Sequence, residues 1–131
     1  MAVSKARINF YDADAAGVLF HGNYFNVCHS AFESFIASQN KYQEYFSSKD
    51  FGFPIVHSEA DYFAPLFPGE EVEIIISLNE IRTSSFSLLF KLKKQNDEVA
   101  AEIKIVIVCV EKKKWQKIAL PPFVIELLNA L

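Results

Sequence analysis

Two carboxylates and a histidine stand close together in a short polar loop near the start of the chain. Asp12, Asp14 and His21 lie in a glycine-containing segment that runs directly into an apolar helical pattern. A carboxylate can attack a carbonyl carbon or act as a general base on water. The start of a helix presents unpaired N–H groups and a partial positive charge, which can hold an anion or a developing oxyanion. A carboxylate that faces such a helix start is suited to acyl chemistry.

The helix that must position this loop is predicted from the spacing of its apolar residues. Between Tyr24 and Ile36 these residues recur at intervals of three and four, which places them on one helical face. Asn23 stands just before this stripe, where an N-cap residue is expected. The pattern therefore predicts a helix that ends near Gln39 and buries one face.

The rest of the chain shows mainly the two-residue period of β-strands. Strands are predicted over residues 3–11, 55–63, 70–81, 85–92 and 99–111. Short turns between consecutive strands favour an antiparallel sheet, and the last strand is apolar enough to be buried on both faces or to lie at an interface. Pro121 and Pro122 are typical of the start of a short closing helix. One long amphipathic helix beside such a sheet indicates an α+β domain.

Length, charge and cysteine content restrict the classes of protein to consider. With 131 residues, about half of them apolar, residues 1–131 are expected to form a single domain. The formal net charge of −3 argues against a nucleic-acid partner. Cys28 and Cys109 are far apart and are expected to be free, buried thiols in a reducing compartment. No signal peptide or membrane span is evident, which predicts a cytoplasmic protein without a membrane partner.

The loop and the helix start resemble the signature of a known family. The sequence DADAAG (residues 12–17), followed by HGNYF (residues 21–25), is similar to the D-x-D-x-x-G…H/P-x-N-Y-F signature of hotdog-fold acyl-CoA thioesterases of the 4-hydroxybenzoyl-CoA thioesterase type. Residues 54–65 are also similar to that family's second-strand pattern, P-x-V-H-x-x-x-D-[YF]-x-x-P. The resemblance implies a hotdog fold, in which an antiparallel sheet of about five strands wraps one long helix. It further implies hydrolysis of an acyl-CoA substrate by a homodimer or homotetramer.

The same resemblance implies roles for individual residues in the loop. Asp14 matches the second Asp of the signature and is expected to be the catalytic carboxylate, acting as a nucleophile or as a general base. Backbone N–H groups at His21 and Gly22 are expected to polarise the thioester carbonyl. From the residues alone, an Asx-turn or capping carboxylate is the competing interpretation of Asp14. No metal or redox cofactor is implied.

Four further residues are assigned to shaping the loop or to binding substrate. Asp12 is expected to hydrogen-bond the backbone of the loop, and Asn23 to orient the turn at the helix start. Gly17 is expected to supply an unusual φ or to let the substrate approach closely. His57 shares a strand face with other polar residues, and it is either near a second subunit's loop or part of a solvated face.

Two longer segments indicate the substrate. Residues 25–38 and 51–70 are most similar to the cyanobacterial 1,4-dihydroxy-2-naphthoyl-CoA thioesterases of phylloquinone (vitamin K1) biosynthesis. This resemblance implies hydrolysis of that aromatic acyl-CoA to the free acid and coenzyme A. Thioesterases for 4-hydroxybenzoyl-CoA or fatty acyl-CoA remain alternatives, as does a non-catalytic acyl- or aryl-binding hotdog domain. A hotdog dehydratase fits poorly, because the D-x-D-x-x-G loop does not resemble that family's motif.

Overall fold

The chain forms eight strands and three helices in a computed structural model that describes residues 1–131. In chain order these elements are β1 (Ala2–Arg7), α1 (Asn23–Ser38), α2 (Tyr42–Phe46), β2 (Phe51–Gly52), β3 (Ile55–Tyr62), β4 (Glu71–Ile81), β5 (Ser85–Lys93), β6 (Val99–Val108), β7 (Val110–Glu111), β8 (Gln116–Lys117) and α3 (Pro122–Asn129). A single 3₁₀ turn, Phe10–Asp12, lies between β1 and α1. The longest helix, α1, has 16 residues, and no helix combines the length and the hydropathy that a membrane span requires.

Five strands form one antiparallel sheet in the order β1-β4-β5-β6-β3. The consecutive strands β4, β5 and β6 pair as a meander, as their short turns predict. β1 adds to the outer side of β4, and β3 adds to the outer side of β6. These two strands are therefore the edges of the sheet. The short strands β2, β7 and β8 form a separate sheet.

Helix α1 packs against the large sheet with the face that its sequence predicts. Its buried residues are Tyr24, Cys28, Ala31, Phe32, Phe35 and Ile36. The facing strands β4 and β5 bury alternate apolar residues, which are Val72, Ile74, Ile76, Phe86, Leu88, Phe90 and Leu92, and β5 also buries Ser87. Both sets belong to one hydrophobic cluster of 27 buried residues. The predicted α+β architecture is confirmed, and both cysteines are free and buried as expected.

The first predicted strand is too long at its C-terminal end. β1 ends at Arg7, which pairs with Glu71, the first residue of β4. Just before Glu71, the segment that leads into β4 turns at Gly69, whose φ is +90°. No partner strand remains beyond this point, so the chain leaves the sheet and forms the 3₁₀ turn Phe10–Asp12.

The last predicted strand is also interrupted, and only one of its faces is fully buried. β6 ends at Val108, which pairs with Ser85, the first residue of β5. One further bond joins the Cys109 N–H to the Ser84 carbonyl at 2.8 Å, and from Val110 the chain pairs with β2 and β8 in the small sheet. Along β6, Ile103 is buried whereas Glu102 is exposed. The expectation of one continuous strand is therefore wrong, and within one chain the strand is not buried on both faces. The alternative, that it lies at an interface, stays a prediction. The start of α3 is as predicted, with Pro121 and Pro122 opening the helix.

Candidate active site

The loop between β1 and α1 folds back on itself at Asp14. The Asp14 N–H donates to the Val18 carbonyl at 2.8 Å, and the Gly17 N–H donates to the Asp14 carbonyl at 3.0 Å. Gly17 has a φ of +83°, in the left-handed region that glycine adopts readily. Oδ1 of Asp14 accepts hydrogen bonds from the N–H groups of Ala16 (2.8 Å) and Val18 (3.3 Å). These contacts hold the carboxylate in one orientation.

The second oxygen of this carboxylate is free of protein contacts. Oδ2 of Asp14 accepts no hydrogen bond from the chain, and the residue is exposed. Asp14 borders an open depression of about 320 Å³ whose apolar wall includes Tyr24, Tyr62, Phe63 and Pro65. The Asx-type turn predicted as a competing role is therefore present, but it uses only one oxygen. The other oxygen can still attack a carbonyl carbon or take a proton from water.

Helix α1 begins at Asn23, and Gly22, with a φ of −68° and a ψ of −26°, is its N-cap residue. The prediction that Asn23 is the N-cap is wrong, because its side chain is bonded elsewhere. The Asn23 Nδ2 donates to the Asp12 carbonyl at 3.0 Å, and its Oδ1 accepts from Asn26 at 3.2 Å. No side chain caps the helix, so its first N–H groups are not occupied by a cap.

Two consecutive peptide N–H groups at this helix start donate to no protein group, and they belong to His21 and Gly22. The carbonyl oxygens of the same two peptides are both occupied. The Phe20 carbonyl accepts from the Asn23 N–H at 2.9 Å, and the His21 carbonyl accepts from the Tyr62 hydroxyl at 2.9 Å. Two free N–H groups at the positive end of a helix can stabilise an oxyanion.

Two tyrosines in the wall of the depression stay protonated near neutral pH. The rings of Tyr24 and Tyr62 meet edge to face, with centroids 4.8 Å apart. Burial raises the pKa of the Tyr24 hydroxyl, and the neighbouring Tyr62, Asp14 and Glu70 raise it further. Desolvation also raises the pKa of the Tyr62 hydroxyl, with a smaller contribution from Cys28. Both hydroxyl groups can therefore donate hydrogen bonds at the site.

Residues 8–128 of the chain match the family described as the Thioesterase-like superfamily. The chain belongs to this superfamily. It is 30% identical over 123 residues to the 1,4-dihydroxy-2-naphthoyl-CoA hydrolase of Nostoc punctiforme, with 93% of this chain and 82% of the relative covered. It is 29% identical over 131 residues to the enzyme of the same name from Gloeothece citriformis, with 98% and 92% covered.

The fold of this thioesterase is shared with solved structures. The crystal structure of a 1,4-dihydroxy-2-naphthoyl-CoA thioesterase from Synechocystis superposes with a TM-score of 0.91, covering 98% of this chain and 96% of that chain at 24% identity. The predicted hotdog fold is confirmed by this likeness and by the five-stranded antiparallel sheet. The expectation that the chain is a thioesterase is confirmed by its family.

Asp12 connects the thioesterase loop to the helix mainly through its main chain. Its carbonyl accepts hydrogen bonds from the Phe20 N–H at 2.9 Å and from the Asn23 side chain. Its carboxylate accepts only from Asn9, at 3.2 Å. Asp12 and Gly17 both lie outside the lining of the depression, so their contacts act on the loop that presents Asp14.

His57 lies apart from the depression within one chain. It is exposed near the other end of β3, and its Nε2 is 3.4 Å from Oε1 of Glu59. The imidazole of His21 borders the depression and packs beside Phe20, with ring centroids 4.3 Å apart, and it forms no hydrogen bond. No group of three or more His, Cys, Asp or Glu side chains could hold a metal ion.

Tyr62 contacts the helix start, and the sequence did not point to this role. The alternation of β3 places it on the face opposite His57, with no indication of its partner. The one available signal is the final D-[YF]-x-x-P of the second-strand pattern, which covers Tyr62 and Pro65. Both residues line the depression next to Asp14.

Proposed function

We propose that this thioesterase hydrolyses 1,4-dihydroxy-2-naphthoyl-CoA to the free acid and coenzyme A, as a step of phylloquinone biosynthesis. One observation supports hydrolysis at this site above all others. The depression has the free carboxylate oxygen of Asp14 on its border and the unpaired N–H groups of His21 and Gly22 at the adjoining helix start. The naphthoyl ester is favoured by the names of the relatives, which match most of the chain. The aromatic wall also suits a flat acyl group.

In the proposed reaction the thioester carbonyl oxygen accepts hydrogen bonds from the N–H groups of His21 and Gly22. Asp14 then either attacks the carbonyl carbon, forming a mixed anhydride that water opens, or takes a proton from the water that attacks. In both routes negative charge collects on the carbonyl oxygen beside the helix start, where it is stabilised. The C–S bond breaks, and the coenzyme A thiolate leaves and takes up a proton.

The test is thiol release from naphthoyl, benzoyl-type and fatty acyl-CoA esters. We expect the wild type to prefer the naphthoyl ester and Asp14→Asn to lower its kcat by about 10²- to 10⁴-fold, the range of acid–base contributions. Asp12→Asn is the matched control, because its carboxylate contacts only Asn9, and we expect its kcat to stay within about ten-fold of wild type.

Each other result of this assay would change a different part of the proposal. Full activity of Asp14→Asn on every ester would refute the role of the carboxylate. Hydrolysis of fatty acyl-CoA alone would keep the mechanism and reject the substrate. Tight binding of CoA esters without turnover would favour a non-catalytic binding domain.

We also infer that the thioesterase is a homo-oligomer in which β3 pairs with β3 of a second copy. Edge strands with exposed apolar side chains are prone to pair with another chain. Seven of the eight residues of β3 are exposed, and Ile55, Val56 and Tyr62 among them are large and apolar. The other edge, β1, alternates between half-buried and exposed residues. Pairing at β3 would place a second subunit beside Tyr62 and the depression.

We further propose that the chain is a single domain and that it is cytoplasmic. Residues 1–131 are taken as one thioesterase domain, which the single core cluster of 27 residues supports. A cytoplasmic location is supported by Cys28 and Cys109, which are both unpaired.

A further inference from the structure

We propose that Tyr62 is a positioning residue that orients the peptide between His21 and Gly22 for binding the oxyanion. This inference rests on the proposed function of the helix start. The Tyr62 hydroxyl donates to the His21 carbonyl at 2.9 Å, across 41 positions in sequence. No other hydrogen bond in the chain holds this peptide, because the Gly22 N–H donates to no protein group.

The planar trans peptide transmits this contact to the N–H group. The C=O and N–H of one peptide unit lie in one plane and point in opposite directions. When the Tyr62 hydroxyl holds the His21 carbonyl, it therefore also sets the direction of the Gly22 N–H. A hydrogen bond to the carbonyl also polarises the peptide, which makes its N–H a stronger donor.

The two successive peptides at this helix start are held by different groups. The peptide that carries the His21 N–H has its Phe20 carbonyl bonded to the Asn23 N–H, so the helix itself holds it. The next peptide, which carries the Gly22 N–H, depends on Tyr62, a residue of another element. The Gly22 N–H is therefore the donor whose peptide is held by a side chain from outside the helix start. Removing the Tyr62 hydroxyl tests this contact without changing any residue of the helix start.

Tyr62 is itself well placed to hold a peptide in a fixed position. It is the last residue of β3, where it pairs with Ala101 of β6. Its ring meets the buried ring of Tyr24 edge to face. A tyrosine hydroxyl is protonated at neutral pH at its ordinary pKa of 10.0, and desolvation raises the pKa of this one. A functional group that is supported by a strand and by a packed ring is positioned more precisely than one on a loop.

The experiment compares Tyr62→Phe with Tyr42→Phe. Both variants lose only a hydroxyl from a half-exposed ring, since Tyr62 is 44% exposed and Tyr42 is 42% exposed, and Tyr42 lies on α2 outside the depression. We expect Tyr62→Phe to lower the kcat for the naphthoyl ester by about ten-fold, less than the loss of a whole oxyanion donor, with KM changed less than about two-fold. We expect the ¹H–¹⁵N resonance of the Gly22 amide to shift in Tyr62→Phe and to keep its wild-type position in Tyr42→Phe.

The two readouts separate this inference from the proposed function. Wild-type kcat together with an unshifted Gly22 resonance in Tyr62→Phe would overturn the inference alone. A raised KM with unchanged kcat would also overturn it, because Tyr62 would then act only as a wall for the acyl group. If the wild type hydrolyses no CoA ester, the proposed function fails and the catalytic purpose of Tyr62 fails with it. The Gly22 resonance would still report whether Tyr62 holds the peptide.

Discussion

At the scale of single residues, the two carboxylate oxygens of Asp14 differ: one orients the side chain, and the other is available for the reaction. Oδ1 is held by the N–H groups of Ala16 and Val18, and Oδ2 has no protein partner. The carboxylate is therefore oriented before a substrate binds, which reduces the entropy that must be lost on the way to the transition state. The left-handed Gly17 allows the chain to close this turn.

Gly17→Ala should weaken both stability and activity, whereas Gly69→Ala should weaken stability alone. Both glycines have positive φ, +83° and +90°, with open space where a Cβ would lie. An alanine there costs about 1–2 kcal/mol of conformational strain in either variant. Only Gly17 belongs to the turn that holds Asp14, so only Gly17→Ala should lower kcat. Urea unfolding and initial rates would measure the two effects, and equal kcat values would argue against the role of the turn.

At the scale of elements, the loop and helix α1 behave as one unit, because the first helical residue bonds back to the loop. Asn23 donates to the Asp12 carbonyl at 3.0 Å. The loop is also bonded to the chain that follows β3, through the Leu19 N–H and the Leu66 carbonyl at 2.8 Å. The positions of the carboxylate and of the free N–H groups are therefore set by the same few contacts.

Asn23→Ala should remove the side-chain hydrogen bond that holds the loop against the start of helix α1. The Asp12 carbonyl would lose one of its two donors, and we expect a loss of about 1 kcal/mol in the free energy of unfolding together with a lower kcat. Asn26→Ala is the control, because it removes only the exposed bond to the Asn23 side chain. Thermal unfolding and thiol release would measure both variants. If the two variants were equally active, Asn23 would not be needed to position the site.

At the scale of the whole molecule, the two edges of the sheet differ in how much apolar surface they expose. Val56 on β3 is 58% exposed and Val3 on β1 is 56% exposed. Around Val56 the strand is exposed on both faces, whereas every second residue of β1 is half-buried. A second copy would therefore cover more apolar surface on β3 than on β1.

Val56→Lys should reduce assembly, whereas Val3→Lys should not. A lysine on an edge strand opposes pairing with another chain because its charge would have to be covered. Sedimentation velocity would then show a smaller species for Val56→Lys only, and thiol release would fall if the second subunit completes the site. A wild type that sediments as a monomer would contradict the proposed pairing at β3.

The stability of the whole fold should decline in alkali, in part because of Cys28. Burial raises the pKa of this thiol from its ordinary value of 9.0 to about 12. Between these values the unfolded chain has lost the proton while the folded chain keeps it, so stability falls as pH rises from about 9 towards 12. Over that interval, the free energy of unfolding of Cys28→Ala should fall with pH less steeply than that of the wild type, by about 1.4 kcal/mol per pH unit. Urea unfolding at several pH values would test this, and an unchanged slope would mean that the thiol does not contribute.

The elements whose signals are local could be predicted from the amino-acid sequence. The apolar stripe between Tyr24 and Ile36 and the alternation of β4 and β5 predicted which faces are buried, because helix and strand periods place side chains without reference to the rest of the chain. The signature around Asp14 indicated the family and the loop that carries the carboxylate. Pro121 and Pro122 marked the start of α3 for the same local reason.

The contacts between distant segments became visible in the folded chain and could not be predicted from the amino-acid sequence. The strand predicted over residues 99–111 ends at Val108 because its neighbour β5 begins at Ser85, and the apolar run itself does not reveal where that neighbour begins. Asn23 is not the cap because the Asp12 carbonyl competes for its side chain. Tyr62 reaches His21 because β3 ends beside the helix start. Such contacts depend on the packing of strands and loops that are remote in sequence, and neither propensity nor spacing within one segment encodes that packing.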